Sequence, residues 1–192
     1  QGLLELVALP YVGSGVLGSA HFVKTFGAQL KGAPAMLNLD MVGRMRGNAL
    51  TVLGSDSADG WKPLLEAACE KARVRCNGSG DGYGPSDQMP FYTEGLPVLH
   101  FFTGAHSDYH KPSDAAAKLN AAGAAQVALV VAEVARGLDA PGAVLAYKKV
   151  PAPARGDARS FGASLGTVPD YGGPPNGQKG VLLADVRPGG GA

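Results

Sequence analysis

Asp40 stands inside the run Leu37-Asn38-Leu39-Asp40-Met41-Val42, which is apolar apart from it and Asn38. A carboxylate in such a stretch is costly to bury unpaired. A metal ion, an arginine or backbone donors are therefore expected beside it, and spacing alone favours a capped or ion-paired aspartate over a metal ligand. His110 stands in Ser107-Asp108-Tyr109-His110-Lys111-Pro112-Ser113-Asp114. Neutral imidazole is the commonest protein ligand for zinc and usually needs a carboxylate or carbonyl on its other nitrogen. A lone loop histidine is more often a surface residue, and His106 reads the same way. His100, inside an apolar run, reads as a core histidine with its hydrogen bonds satisfied. His21 reads as a helix-surface residue. Cys69 and Cys76 are too few for a disulfide framework or a zinc ribbon. They read as ordinary buried or half-buried thiols ahead of a short-loop disulfide.

Alternating strands and helices must position these residues. Leu3–Leu9, Ala35–Val42, Ala49–Leu53 and Pro97–Thr103 read as strands. Val16–Lys24 reads as a short helix, and Met89–Glu94 as a helical turn. Trp61–Arg73 is an amphipathic helix with Trp61, Leu64, Leu65, Ala68, Cys69 and Ala72 on one face. Ala121–Leu138 is a long helix burying Val127, Val130, Val131, Val134 and Leu138. Residues 78–87 and 104–114 read as loops. This order predicts an α/β fold, a mostly parallel sheet sandwiched between helices. In such sheets ligands bind beyond the carboxyl ends of the strands, where Asp40 and the loop bearing Asp108, Tyr109 and His110 fall. Residues 139–160, with Pro141, Pro151 and Pro153, read as a linker. The glycine-dense remainder, 161–192, holds one apolar strand at 180–186.

The chain has 192 residues, 45% hydrophobic and 17% charged, with a formal charge of +1. That composition supports a core and gives no electrostatic footprint for nucleic acid. No run of about 18 apolar residues marks a transmembrane helix. The chain starts at Gln1 and stops in Pro188-Gly189-Gly190-Gly191-Ala192. Both ends read as cuts through a longer protein.

Three stretches acquire meaning together. "NLDMVGR" at 38–44, "PSDQMPFYTEGLPVLHFFTG" at 85–104 and "DYHKPSD" at 108–114 occur in the order and spacing of the di-zinc aminopeptidases. Residues 3–138 resemble the carboxy-terminal half of that family's catalytic domain, a family that includes glutamate carboxypeptidase and the transferrin receptor ectodomain. The resemblance implies two zinc ions bridged by an aspartate and a water, a glutamate general base, and hydrolysis of peptide substrates at the amino-terminal bond. It implies that Asp40 ligates one zinc, that His110 ligates the other, and that Tyr109 donates a hydrogen bond to the oxyanion of the tetrahedral intermediate. It also shows departures. The family's upstream histidine and bridging aspartate would precede Gln1. Val12 and Gly13 stand where its glutamate pair should fall, and Gln88 replaces a polar residue of its substrate wall. Tight zinc sites use about three or four protein ligands, so this chain alone is expected to hold zinc weakly and to be inactive as a peptidase.

A second resemblance follows. "SLGTVPDY" at 164–171 and "GVLLADVRPGGGA" at 180–192 are similar to the opening of a bacterial PDZ domain, which when complete accepts a peptide carboxyl terminus by strand addition. The family's members are often exported, which implies a periplasmic or secreted protein. Two other readings stay open, a non-catalytic interaction module of the same fold and an aminoacyl transferase of the glutaminyl-cyclase kind.

Overall fold

The computed structural model describes residues 16–151, 167–169, 180 and 183–186. The strand expected at 3–9 and the turn with Val12 and Gly13 lie outside the described residues. Helix α1 spans Leu17–Leu30 and is followed by β1 (Met36–Leu39), β2 (Ala49–Leu53) and the short β3 (Ala58–Asp59). Then come α2 (Trp61–Ala72), β4 (Arg75–Ser79), α3 (Gln88–Thr93), β5 (Val98–Phe102), α4 (Ala121–Leu138) and β6 (Ala146–Tyr147).

One sheet has the order β1-β5-β2-β4. β1 runs parallel to β5, with Asn38 opposite His100, and β2 runs parallel to β4. β2 and β5 are antiparallel, with Leu53 opposite His100. The reversal follows from the connection at 40–48, which holds no helix and is too short for a parallel crossover. β5 is an inner strand, and all of its residues are buried. Its alternate residues point to opposite faces. Leu99 and Phe101 join Leu50, Val52, Trp61, Leu65, Val127, Val130 and Val134 in the core under α2 and α4. Val98 joins Val23, Phe91 and Tyr92 in a second cluster under α1 and α3. The sheet is thus sandwiched between helices, as the alternating pattern predicts.

α4 is apolar and long enough by composition to cross a membrane. Here its Val127, Val130 and Val134 are wholly buried in the core, and burial of each such side chain contributes about 1.5–3 kcal/mol. α2 ends at Arg73, whose φ of 55° is left-handed and whose N–H bonds the Cys69 and Glu70 carbonyls. That cap reverses the chain directly into β4 and brings Cys76 to Cys69. The two form a disulfide with Cα atoms 6.1 Å apart. The expectation of separate thiols is corrected by this turn, because the helix end and the next strand are only a few residues apart.

The first part of the stretch read as a linker lies on the body. Ala146–Tyr147 pair antiparallel with Ala58–Asp59. The Tyr147 hydroxyl donates to the Tyr92 carbonyl at 2.8 Å, and the Tyr92 hydroxyl donates to the Lys148 carbonyl at 2.8 Å. Further on, β7 (Thr167–Pro169) and β8 (Leu183–Val186) form an antiparallel pair, Thr167 opposite Val186. The rest of the PDZ-like stretch lies outside the described residues.

Candidate functional site

Because β1 and β5 are parallel neighbours, their carboxyl ends deliver the segment after Leu39 and the loop after Phe102 to the same edge of the sheet. A cleft of about 320 Å³ opens there. Asp40, Ser86, His100, His106, Tyr109 and His110 line it, with Met41, Phe102 and Leu119 as apolar wall. Asp40, Tyr109 and His110 are thus brought into one cavity from separate motifs.

Asp40 is half-buried. Among the described residues its partner is a serine rather than an arginine or a backbone donor: the Ser86 hydroxyl donates to Oδ2 at 2.7 Å. Ser86 in turn accepts from Asn38 Nδ2 at 2.9 Å, and the same amide donates to Gln88 Oε1 at 3.0 Å. Gln88 is 1% exposed and is not among the cleft-lining residues. The expectation that it belongs to the wall is corrected: it is buried and accepts from the Asn38 amide, which in turn donates to the serine that holds Asp40. Next to this row, burial pushes the Asp87 carboxyl above its ordinary range, with a Ser19 hydrogen bond opposing and the Asp40 charge reinforcing the rise.

The other side of the cleft is held by ion pairs. Arg44 reaches Asp108 Oδ2 at 3.5 Å and also bonds Asp114. The Lys118 ammonium bonds Asp108 Oδ1 at 2.6 Å and the Ser113 hydroxyl donates to the same oxygen at 2.7 Å. These two bonds hold the Asp108 carboxyl down at about 2, burial opposing them and the charges of Lys118 and Arg44 helping. Thr103 Oγ1 accepts from the Arg44 N–H at 3.2 Å and donates to the Met41 carbonyl. Met41 and His110 both have left-handed φ, 52° and 54°, a conformation unusual outside glycine that persists only where surroundings enforce it. Here the enforcing groups are Thr103 and the Arg44 cluster.

His110 is exposed, and its ring stacks on Tyr109 with centroids 3.9 Å apart. Tyr109 is half-buried against Phe102 and Ala105. His106, expected at the surface, is 6% exposed. It lines the cleft with Arg44 and Asp114, and its Nε2 lies 3.9 Å from Asp114. Burial lowers its pKa, with the Asp114 charge opposing. His100 is a core histidine, 3% exposed, but among the described residues neither ring nitrogen has a hydrogen-bond partner. The expectation of a satisfied imidazole is corrected, because its strand neighbours Asn38 and Leu53 offer it nothing: Asn38 is committed to Ser86 and Gln88, and Leu53 is apolar. Burial takes His100 down to about 4, with the Asp40 charge opposing.

Carboxylate and imidazole are donors that zinc accepts, and closed or catalytic sites take three or four of them. Among the described residues no group of three or more histidine, cysteine, aspartate or glutamate side chains is gathered to hold a metal. Asp40 and His110 therefore fit part of a zinc site in type, and do not fit a whole one in number. Sequence reasoning missed Ser86, Arg44 and Asp114 as parts of the site. Their signal is positional, since each lies within a motif beside a named residue, but only the fold shows what they touch.

The fold of sheet and helices matches that of bacterial aminopeptidases. BSAP, a zinc aminopeptidase from Bacillus subtilis, matches with a TM-score of 0.58 and 26% identity over 67% of this chain and 34% of its own. Legionella pneumophila LapA aminopeptidase matches with a TM-score of 0.57 and 23% identity, over 67% of this chain and 37% of that one. An aminopeptidase from Aneurinibacillus sp. strain AM-1 matches with a TM-score of 0.58 and 20% identity, over 74% of this chain and 35% of that one. The chain thus spans little more than a third of the length of these proteins. The sequence pattern of peptidase family M28 matches residues 13–135, and the chain belongs to that family. A search of curated protein sequences gave no significant match.

Proposed function

We propose that this cleft belongs to a zinc-dependent aminopeptidase, one that hydrolyses the amino-terminal bond of peptides. The observation that carries the reading is the convergence of Asp40, Tyr109 and His110, distant in sequence, on one cavity. Asp40 and His110 would be metal donors, Asp40 aimed by Ser86 and His110 by the strained loop that Arg44 clamps. A bound zinc would supply a polarised carbonyl and a water of lowered pKa. Tyr109, on the same loop, would donate its phenolic hydrogen to the oxygen that gains charge during attack.

With two donors among the described residues and Val12 and Gly13 in place of the glutamate pair, this 192-residue chain by itself would bind zinc weakly and hydrolyse little. That count also supports the second reading, a non-catalytic interaction module of the same fold. The glutaminyl-cyclase-like alternative is distinguished by substrate. The Cys69–Cys76 disulfide supports a periplasmic or secreted location, because such bonds persist in oxidising compartments. The glycine-dense end would contribute, in a complete PDZ domain, a site for a peptide carboxyl terminus.

The test uses the complete gene product, assayed on leucyl p-nitroanilide and on peptides with amino-terminal glutamine. Release of leucine, with kcat reduced about 10²–10³-fold in Tyr109→Phe and KM little changed, is the expected result. Cyclisation of glutamine peptides would favour the transferase, and no turnover of either would favour the interaction module.

A further inference from the structure

His100 is a polar side chain that the fold buries and leaves without a partner. It occupies the centre of β5, 3% exposed. Among the described residues both Nδ1 and Nε2 lack a hydrogen bond, and the ring lines the cleft beside Asp40. Its ring lies against that of Phe102, centroids 5.8 Å apart. Buried polar atoms are nearly always paired, and an orphan calls for a specific cause. The described protein groups around His100 cannot be that cause, since Ser86 and Asn38 are committed to each other, to Asp40 and to Gln88. The remaining direction is the cleft.

We propose that His100 is a specificity-determining residue of the cleft, hydrogen-bonding the uncharged amide group of a peptidic ligand. The inference rests on the peptide-binding reading of the cleft for the class of ligand. Neutral imidazole carries one N–H donor and one bare nitrogen acceptor, the complement of an amide, which offers a carbonyl and an N–H. Met41, Phe102 and Leu119 in the same wall suit an apolar first side chain. A site built to pair a polar group discriminates strongly against an analogue lacking it, because the site's own group is then left unpaired.

The experiment measures binding on the full 192-residue chain, so it does not depend on turnover. Leucinamide and 3-methylbutylamine, which has the same side chain and amine but no amide, are titrated and followed by NMR at the His100, Tyr109 and His110 resonances. The expected result is leucinamide bound at least about tenfold more tightly than the amine, with a shift of a His100 ring nitrogen. His100→Phe should abolish that preference and leave the amine's affinity unchanged, and His100→Gln, which keeps a donor and an acceptor, should restore it. Thermal melts confirm that both variants are folded, and if the Phe variant is not, the Gln variant and the ring-nitrogen shift still decide. Leucinamide binding that moves Tyr109 and His110, with no His100 response and equal affinity in the variants, would overturn the role of His100 and leave the peptide reading standing. Failure of the wild-type chain to bind leucinamide at all would also overturn the role of His100, while the peptide reading stands or falls on turnover by the complete gene product.

Discussion

Arg44 joins the two segments that make the cleft. Four residues beyond Asp40, it grips Asp108 and Asp114 on either side of His110, with its own side chain 13% exposed and that of Asp108 17% exposed. Replacement by methionine leaves Asp108 to Lys118 and Ser113 and releases Asp114. Because Asp114 is 40% exposed, the urea midpoint should fall measurably but by less than the loss of a buried pair would cause, with increased mobility at His110 by NMR. A variant as stable as wild type with an unchanged His110 would remove Arg44 from the account. His100 makes a prediction of opposite chemistry. An exposed histidine titrates at 6.5 and this one at about 4, so between those values the unfolded chain binds more protons. Stability should therefore be full above about 6.5 and decline as pH falls towards about 4. In chelator-treated protein the urea midpoint should drop between pH 7 and pH 5, and His100→Phe should flatten that slope. An identical slope in the variant would assign the effect to other groups.

Among the elements, α2 and α4 were legible because their apolar residues repeat at helical spacing: α4 spans Ala121–Leu138 as read, and Val127, Val130 and Val134 are its buried face. Helix α1 runs on to Leu30, past the expected end at Lys24, because Phe22 and Leu30 continue its contact with the cluster around Phe91. β4 was missed. Its residues Arg75-Cys76-Asn77-Gly78-Ser79 are polar and mostly exposed, as an edge strand allows, so neither alternation nor β propensity marks them. The disulfide was misjudged for the same reason, since its geometry depends on the left-handed turn at Arg73 and on β4 starting at once. That bond closes a short loop, and the chain-entropy cost of such a loop predicts about 2–3 kcal/mol of stabilisation. The double variant Cys69→Ser/Cys76→Ser should melt about 5–10 °C lower by calorimetry. An unchanged melting temperature would show that the loop is already ordered without the bond.

For the whole molecule, the motifs showed which segments meet but not how. Asp40, Tyr109 and His110 were named from resemblance, and the parallel pairing of β1 with β5 explains why they share an edge. The inward placement of Gln88, the orphaned ring of His100 and the burial of His106 depend on side-chain packing between segments about 50 residues apart, which periodicity does not encode. The central claim is that the cleft holds metal donors in type but, within this chain, too few in number. Zinc per chain, measured by elemental analysis after zinc addition and desalting, tests it most directly. The account predicts less than about 0.2 zinc per chain. A stoichiometry near one or two would contradict it, and would mean that further residues of this chain complete the site around Asp40 and His110.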